Sequence, residues 1–143
     1  MTIRFTSAAV ASGSPAPKFG RVVRTAGNIS TNSTTLVDLT GATVPITTGA
    51  FPVAYSVAQS IYVTLTNEEL VFNVDVDGAL QHGTGGVSMF QHAVAGNSVN
   101  GSFSGLTAAL TAAAHTIKLQ WKVPAGTGTI QGNTGTNHIW VAH

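Results

Sequence analysis

The chain has 143 residues, no cysteine, a formal net charge of +1 and only 8% charged residues, against roughly 25% in an average soluble domain. That length suits one domain with a real hydrophobic core. The missing cysteine excludes disulfides, thiolate metal ligands and cysteine nucleophiles, and the few basic residues are too scattered to make a footprint for nucleic acid.

Surface polarity must then come mainly from Thr, Ser, Asn and Gln. So weakly charged a surface is suited to lying against other protein. No apolar run is long enough for a membrane-spanning helix, since Leu106–Ala114 is short and interrupted by Thr107 and Thr111. Ala8–Ala11 is a poor apolar core for a leader, and no cleaved leader is expected.

Residues 1–20 are expected to form an extended arm. Met1–Phe5 has the makings of a short strand, and Pro15 and Pro17 exclude helix and disfavour a central strand. Phe5 and Phe19 are unusual in a disordered tail, which favours an arm that orders against a neighbouring subunit. From Arg21 the chain becomes a succession of short β signals. Val22–Val23 leads to a turn at Gly27–Asn28, and Leu36, Val37 and Leu39 sit in a Thr-rich strand. Pro45 marks the next segment, Val44–Ile46, as an edge strand or the start of one. Phe51–Val57 continues that segment or begins another, and Ile61, Val63 and Leu65 make a further alternating run. Phe72, Val74 and Val76 then alternate with Asn73, Asp75 and Asp77, which predicts a wet face carrying both aspartates and a turn at Gly78. Val87–Val94 and Val99–Phe103 follow as strands between glycine-rich loops.

Leu106–Ala114 alone has helix-favouring composition, and it fits a loop with one helical turn equally well. In His115–Val123, Ile117, Leu119, Trp121 and Val123 take one face and Thr116, Lys118, Gln120 and Lys122 the other, the pattern of a half-buried strand. Asn137–Val141 is the last candidate. About eight short strands without intervening long helices predict an all-β fold, a sandwich or barrel. Trp121, Phe72, Ile61 and Leu119 are the expected core.

The chemistry is sparse. None of the five histidines shares an H-x-H or H-x-x-x-H spacing, so no metal site is expected. Asp75–Gly78 is superficially like a calcium loop but lacks the further oxygen ligands and closing Glu, and reads as a hairpin end. Glu68 and Glu69 are adjacent and unsuited to work across one glycosidic bond, no G-x-S-x-G elbow exists, and Gly83–Gly86 lacks the Lys and Ser/Thr of a phosphate loop. The N-x-S/T sequons at Asn28, Asn32 and Asn100 are explained by a chain rich in Ser and Thr. No catalytic constellation and no cofactor site are predicted, and the chain is not expected to be an enzyme.

The segments Arg21–Thr35, Val71–Gly78 and Ala114–Ile130, in that order, resemble small jelly-roll domains of tailed-bacteriophage virions. These include capsid decoration (cement) proteins and the tip domains of tail or head fibres. The resemblance implies an antiparallel β-sandwich of jelly-roll type with about eight strands over residues 21–143, a homotrimer, and a place on the exterior surface of the capsid. It brings no catalytic residues. Fibre tips follow long shafts, so a chain starting at Met1 with an arm is expected to be a decoration protein that stabilises the head. Its partners are then the major capsid protein and further copies of itself, with no nucleic acid and no membrane. Arg4, Phe5, Lys18 and Phe19 on the arm are the expected contact residues. The alternative is a receptor- or glycan-binding tip, in which exposed aromatics such as Tyr55, Tyr62 or Trp140 stack on a host-surface glycan.

Overall fold

The computed structural model describes residues 19–23, 27–65, 68–90, 97–132 and 137–142. Its elements are β1 (Phe19–Val23), β2 (Ile29–Thr31), β3 (Val37–Thr47), β4 (Ala54–Val63), β5 (Glu69–Val76), β6 (Ala79–Leu80), β7 (Val87–Phe90), β8 (Val99–Leu106), β9 (Ala114–Lys122), β10 (Gly128–Ile130) and β11 (His138–Ala142). Among the described residues there is no helix. The helix-favouring stretch Leu106–Ala114 is the last residue of β8, a loop, and the first residue of β9. Thr107 Oγ1 in that loop accepts from Val53 N at 2.9 Å, and Thr48 N donates to Ala113 O at 3.0 Å. Tertiary bonds thus override a weak helical propensity.

Every pairing is antiparallel, and the strands form two sheets. The first runs β8–β4–β11–β1, with β10 and β2 continuing along the flank of β4 beyond the end of β11. The second runs β3–β9–β5, and β7 and β6 share the far edge of β5. With the short β2, β6 and β10 set aside, the first principal strand pairs with the last, the second with the second-last, and so inward to β5 and β7. This nested order is that of a jelly roll. The sandwich expected from the alternating segments is therefore present, with three short strands added to the principal eight.

The alternation explains the core. Ile117, Leu119, Trp121 and Val123 are all 2% exposed or less, and so are Phe72 and Ile61. Trp121 stacks on Phe72 with ring centroids 6.4 Å apart and planes at 24°, an offset arrangement that adds to simple area burial. Glycine allows the sheets to close at one side. A Cβ on Gly20 of β1 would stand 2.5 Å from Val44 Cγ1 and 2.9 Å from Val141 Cγ2.

Two expectations need correction. Phe51–Val57 and Ile61–Leu65 do not make two strands, because 54–63 is the single strand β4, and Leu65 lies beyond it, 44% exposed. Asp75 is not on a wet face. It is 5% exposed, and Asn73 on the same face is fully buried, because the turn after β6 folds over that face: His82 N donates to Asn73 Oδ1 at 3.1 Å and the Asn73 amide donates to Gly83 O. Asp75 instead accepts the Gly78 N–H at 3.0 Å, closing the hairpin. Asp77 and Gly78 both have positive φ, 52° and 90°, as a two-residue type I′ turn requires. The hairpin reading of this Asp-Gly segment holds. Pro45 is likewise where expected, in a strand that among the described residues is an edge paired only with β9.

β4 also forks the first sheet. On one flank its residues 54–58 pair with β11 and 61–63 with β10. In the gap no strand stands opposite Ser60 N among the described residues, and it donates instead to Asn137 Oδ1 at 2.8 Å. The Asn137 amide donates onward to Gln131 O, and Gln131 N donates to Ser60 O at 2.9 Å. A fully buried side chain thus supplies the missing rung.

Candidate functional site

Cross-strand partners project to the same face, so the outer face of the first sheet can be read from register. Ala54, Ser56 and Ala58 of β4 stand opposite Leu106, Ser104 and Ser102 of β8 on one side. On the other they stand opposite Ala142, Trp140 and His138 of β11. Arg21 of β1 lies across from Trp140. The face is flat, because its central side chains are Ala and Ser, and Leu106 (67% exposed) and Trp140 rise from it. Among the residues just named Arg21 carries the only full charge, and its guanidinium sits 4.4 Å from the Trp140 ring centroid, a contact that holds both side chains against the surface.

The outer face of the second sheet differs. Asp38 of β3 accepts from Lys118 Nζ and from Gln120 Nε2 of β9, each at 2.8 Å. Lys118, then Gln120, hold the Asp38 carboxyl below its ordinary value, and Asp38 raises that of Lys118. Both side chains are exposed, so the pair contributes little stability. The side of His115–Val123 expected to be wet is thus only half-buried and partly occupied by these bonds.

Two histidines are built into the fold. His115, the second residue of β9, has its ring against Asp77 Oδ2 on one side and Thr111 O, 3.0 Å away, on the other. Both neighbours are acceptors, so the doubly protonated ring satisfies both. Asp77 first and then the Thr111 carbonyl raise the His115 pKa above its ordinary value, and His115 holds the Asp77 carboxyl down. Asp77 also accepts from Thr116 N at 2.8 Å, which ties the β5–β6 turn to β9. His82 Nε2 lies 2.8 Å from Tyr55 Oη, and both rings meet Phe103 edge-on. Burial raises the Tyr55 pKa.

Of the residues expected to make contacts, Arg4, Phe5 and Lys18 lie outside the described residues, as do His92 and His143. Phe19 is the first residue of β1, opposite Ala142. Of the aromatics offered for sugar stacking, Tyr55 must be withdrawn, because it is 3% exposed within the core. Tyr62 is half-buried, and the face of Trp140 is taken by Arg21. Among the described residues no three His, Asp or Glu side chains come together to hold a metal ion. The nearly uncharged face was missed in the sequence. Its signal is the small residues alternating with Tyr55, Val57 and Phe103, which acquires meaning only once β4 and β8 are known to be neighbours.

No family model matches the chain, and no curated protein matches it in sequence. Solved structures do match in fold. Murine APRIL superposes with a TM-score of 0.53 at 7% identity, over 89% of this chain and 98% of that one. Infectious bursal disease virus, Gx strain, gives 0.52 at 11% identity over 96% of this chain. T=1 particles derived from infectious bursal virus give 0.52 at 12% identity over 99% of this chain. The likeness is one of fold. The chain spans about two fifths of the viral chains, at 40% and 39% of their length.

Proposed function

We propose that this chain is a virion structural protein of a tailed bacteriophage: a decoration protein, without enzymatic activity, that sits as a homotrimer on the exterior of the head. The observation that carries this reading is the outer face of the first sheet, flat, almost free of charge and marked by exposed Leu106 and Trp140. A solitary protein in water gains nothing from such a face, whereas in an assembly it buries apolar surface without desolvating ions. Jelly-roll architecture and the resemblance of Arg21–Thr35, Val71–Gly78 and Ala114–Ile130 to phage virion domains support the same reading. Partners are then the major capsid protein and further copies of this chain. Weak contacts repeated over three subunits become strong through effective concentration. The arm residues Arg4, Phe5 and Lys18, with Phe19 at the start of β1, are proposed to reach a neighbouring subunit or the shell.

Imaging particles from the producing phage by electron cryomicroscopy locates the chain directly. Density on the outside of the head is expected, and density confined to a tail or fibre refutes the proposal. Deleting residues 2–18, which spares β1, is expected to lower occupancy on undecorated heads, and unchanged occupancy refutes the role of the arm. The tip-domain alternative is not favoured, since two of its three aromatic platforms are buried or covered.

A further inference from the structure

Two long strands have an unpaired edge among the described residues, β3 and β8. An open edge offers a row of outward N–H and C=O groups that pairs with another chain unless something blunts it. β3 is blunted in three ways: Pro45 removes a donor, Asp38 adds a charge, and the register slips between Asp38 and Thr43 around Gly41, whose φ is +77°. β8 has none of these devices. It pairs with β4 residue for residue from Val99 to Leu106, with no charged residue, no proline and no bulge. Among the described residues no further backbone hydrogen bond reaches Val99–Leu106.

The strand also reads the same in both directions about Phe103: Gly101-Ser102-Phe103-Ser104-Gly105. The glycines have an internal use, since a Cβ on Gly101 would press on Met89 Sδ at 2.3 Å and one on Gly105 on Tyr55 Oη at 2.4 Å. The exposed serines have none. Antiparallel pairing reverses one strand against the other. Two β8 strands laid edge to edge about a two-fold axis at Phe103 therefore set serine opposite serine and glycine opposite glycine. No like charges oppose one another anywhere along the pair.

We propose that β8 is a homotypic docking edge. Two copies of the chain join antiparallel, Ser102 of one opposite Ser104 of the other, so that their first sheets become one continuous sheet. A single strand pair buries less than the roughly 1,600 Å² of a standard stable interface, so each contact is weak alone and gains force where copies are crowded. The inference needs no capsid, and its failure leaves the decoration reading untouched.

Sedimentation of the purified full chain tests it. Association that doubles the mass of the basic unit is expected as concentration rises. Ser102→Lys with Ser104→Lys sets like charges across the axis and is expected to weaken that step about tenfold. Ser102→Lys with Ser104→Asp sets opposite charges there and is expected to preserve it. Both positions are exposed, and circular dichroism checks that each variant is folded. Because the chain has no cysteine, Ser102→Cys and Ser104→Cys proteins report on register: oxidising their mixture is expected to give far more disulfide-linked dimer than oxidising either alone. The proposal is overturned if no doubling occurs up to about millimolar concentration, if the two charge variants associate equally, or if crosslinking is as strong in the separate samples.

Discussion

Asn137→Ala tests whether one side chain holds the fork in the first sheet. The substitution removes the acceptor for Ser60 N and the donor to Gln131 O. Ser60 is 4% exposed and Asn137 fully buried, so water cannot readily replace the amide at Ser60 N. A sealed, unsatisfied backbone group costs about 1–3 kcal/mol. Gln131 is only half-buried, so its carbonyl recovers part of its loss from solvent. The sum is about 2–4 kcal/mol, a large fraction of the roughly 7–20 kcal/mol expected for a domain of this size. Denaturation in urea, read by Trp fluorescence, measures it as a lowered midpoint at unchanged slope. Asn97→Ala, at an exposed site, serves as control and is expected to stay within about 0.5 kcal/mol of wild type. A loss under about 1 kcal/mol for Asn137→Ala would show that water or Gln131 bridges the gap, and the account of the fork would fail.

Trp121→Ala removes the largest buried side chain and its stacking on Phe72. It is expected to cost about 3–5 kcal/mol by the same urea titration. Gly20→Ala is expected to lose about 1–3 kcal/mol, because its methyl group collides with Val44 and Val141 where β1 meets β3; a neutral thermal melt would contradict that tight closure. The His115–Asp77 contact predicts a pH dependence. The raised pKa of His115 stabilises fully below its ordinary 6.5 and fades as pH rises through the folded value. The lowered pKa of Asp77 stabilises above its ordinary 3.8 and is lost as pH falls through the folded value. Stability from this pair is thus greatest between those two ordinary values. Wild type is expected to lose more stability than His115→Gln between about pH 5.5 and about pH 8, and parallel curves for the two proteins would count against a charged clamp.

Much of the fold is legible from local chemistry. Strict alternation in His115–Val123 identifies β9 and its buried face, Asp77–Gly78 identifies a tight hairpin, and Pro45 marks an edge. What stays hidden depends on neighbours distant in sequence. Asp75 looks wet on its own strand, and its burial shows only once the fold sets Leu80 and Lys118 opposite it. Ser60 and Asn137 are unremarkable apart and meaningful only across the fork. The nearly uncharged face is dispersed over β1, β4, β8 and β11, and nothing in any one of those segments sets it apart from ordinary polar alternation.

The nested pairing has a consequence for how the protein is made. Each principal strand in the first half of the chain finds its partners in the second half, and only β5 and β7 are near neighbours. Few contacts are available to a nascent chain until β8, β9 and β11 have emerged, and closing such long loops comes before any reward. Folding should therefore be slow for the size. Until then Phe72, Trp121 and the bare edge of β8 are open to other chains, so yield on expression should depend on how dilute the unfinished protein is kept.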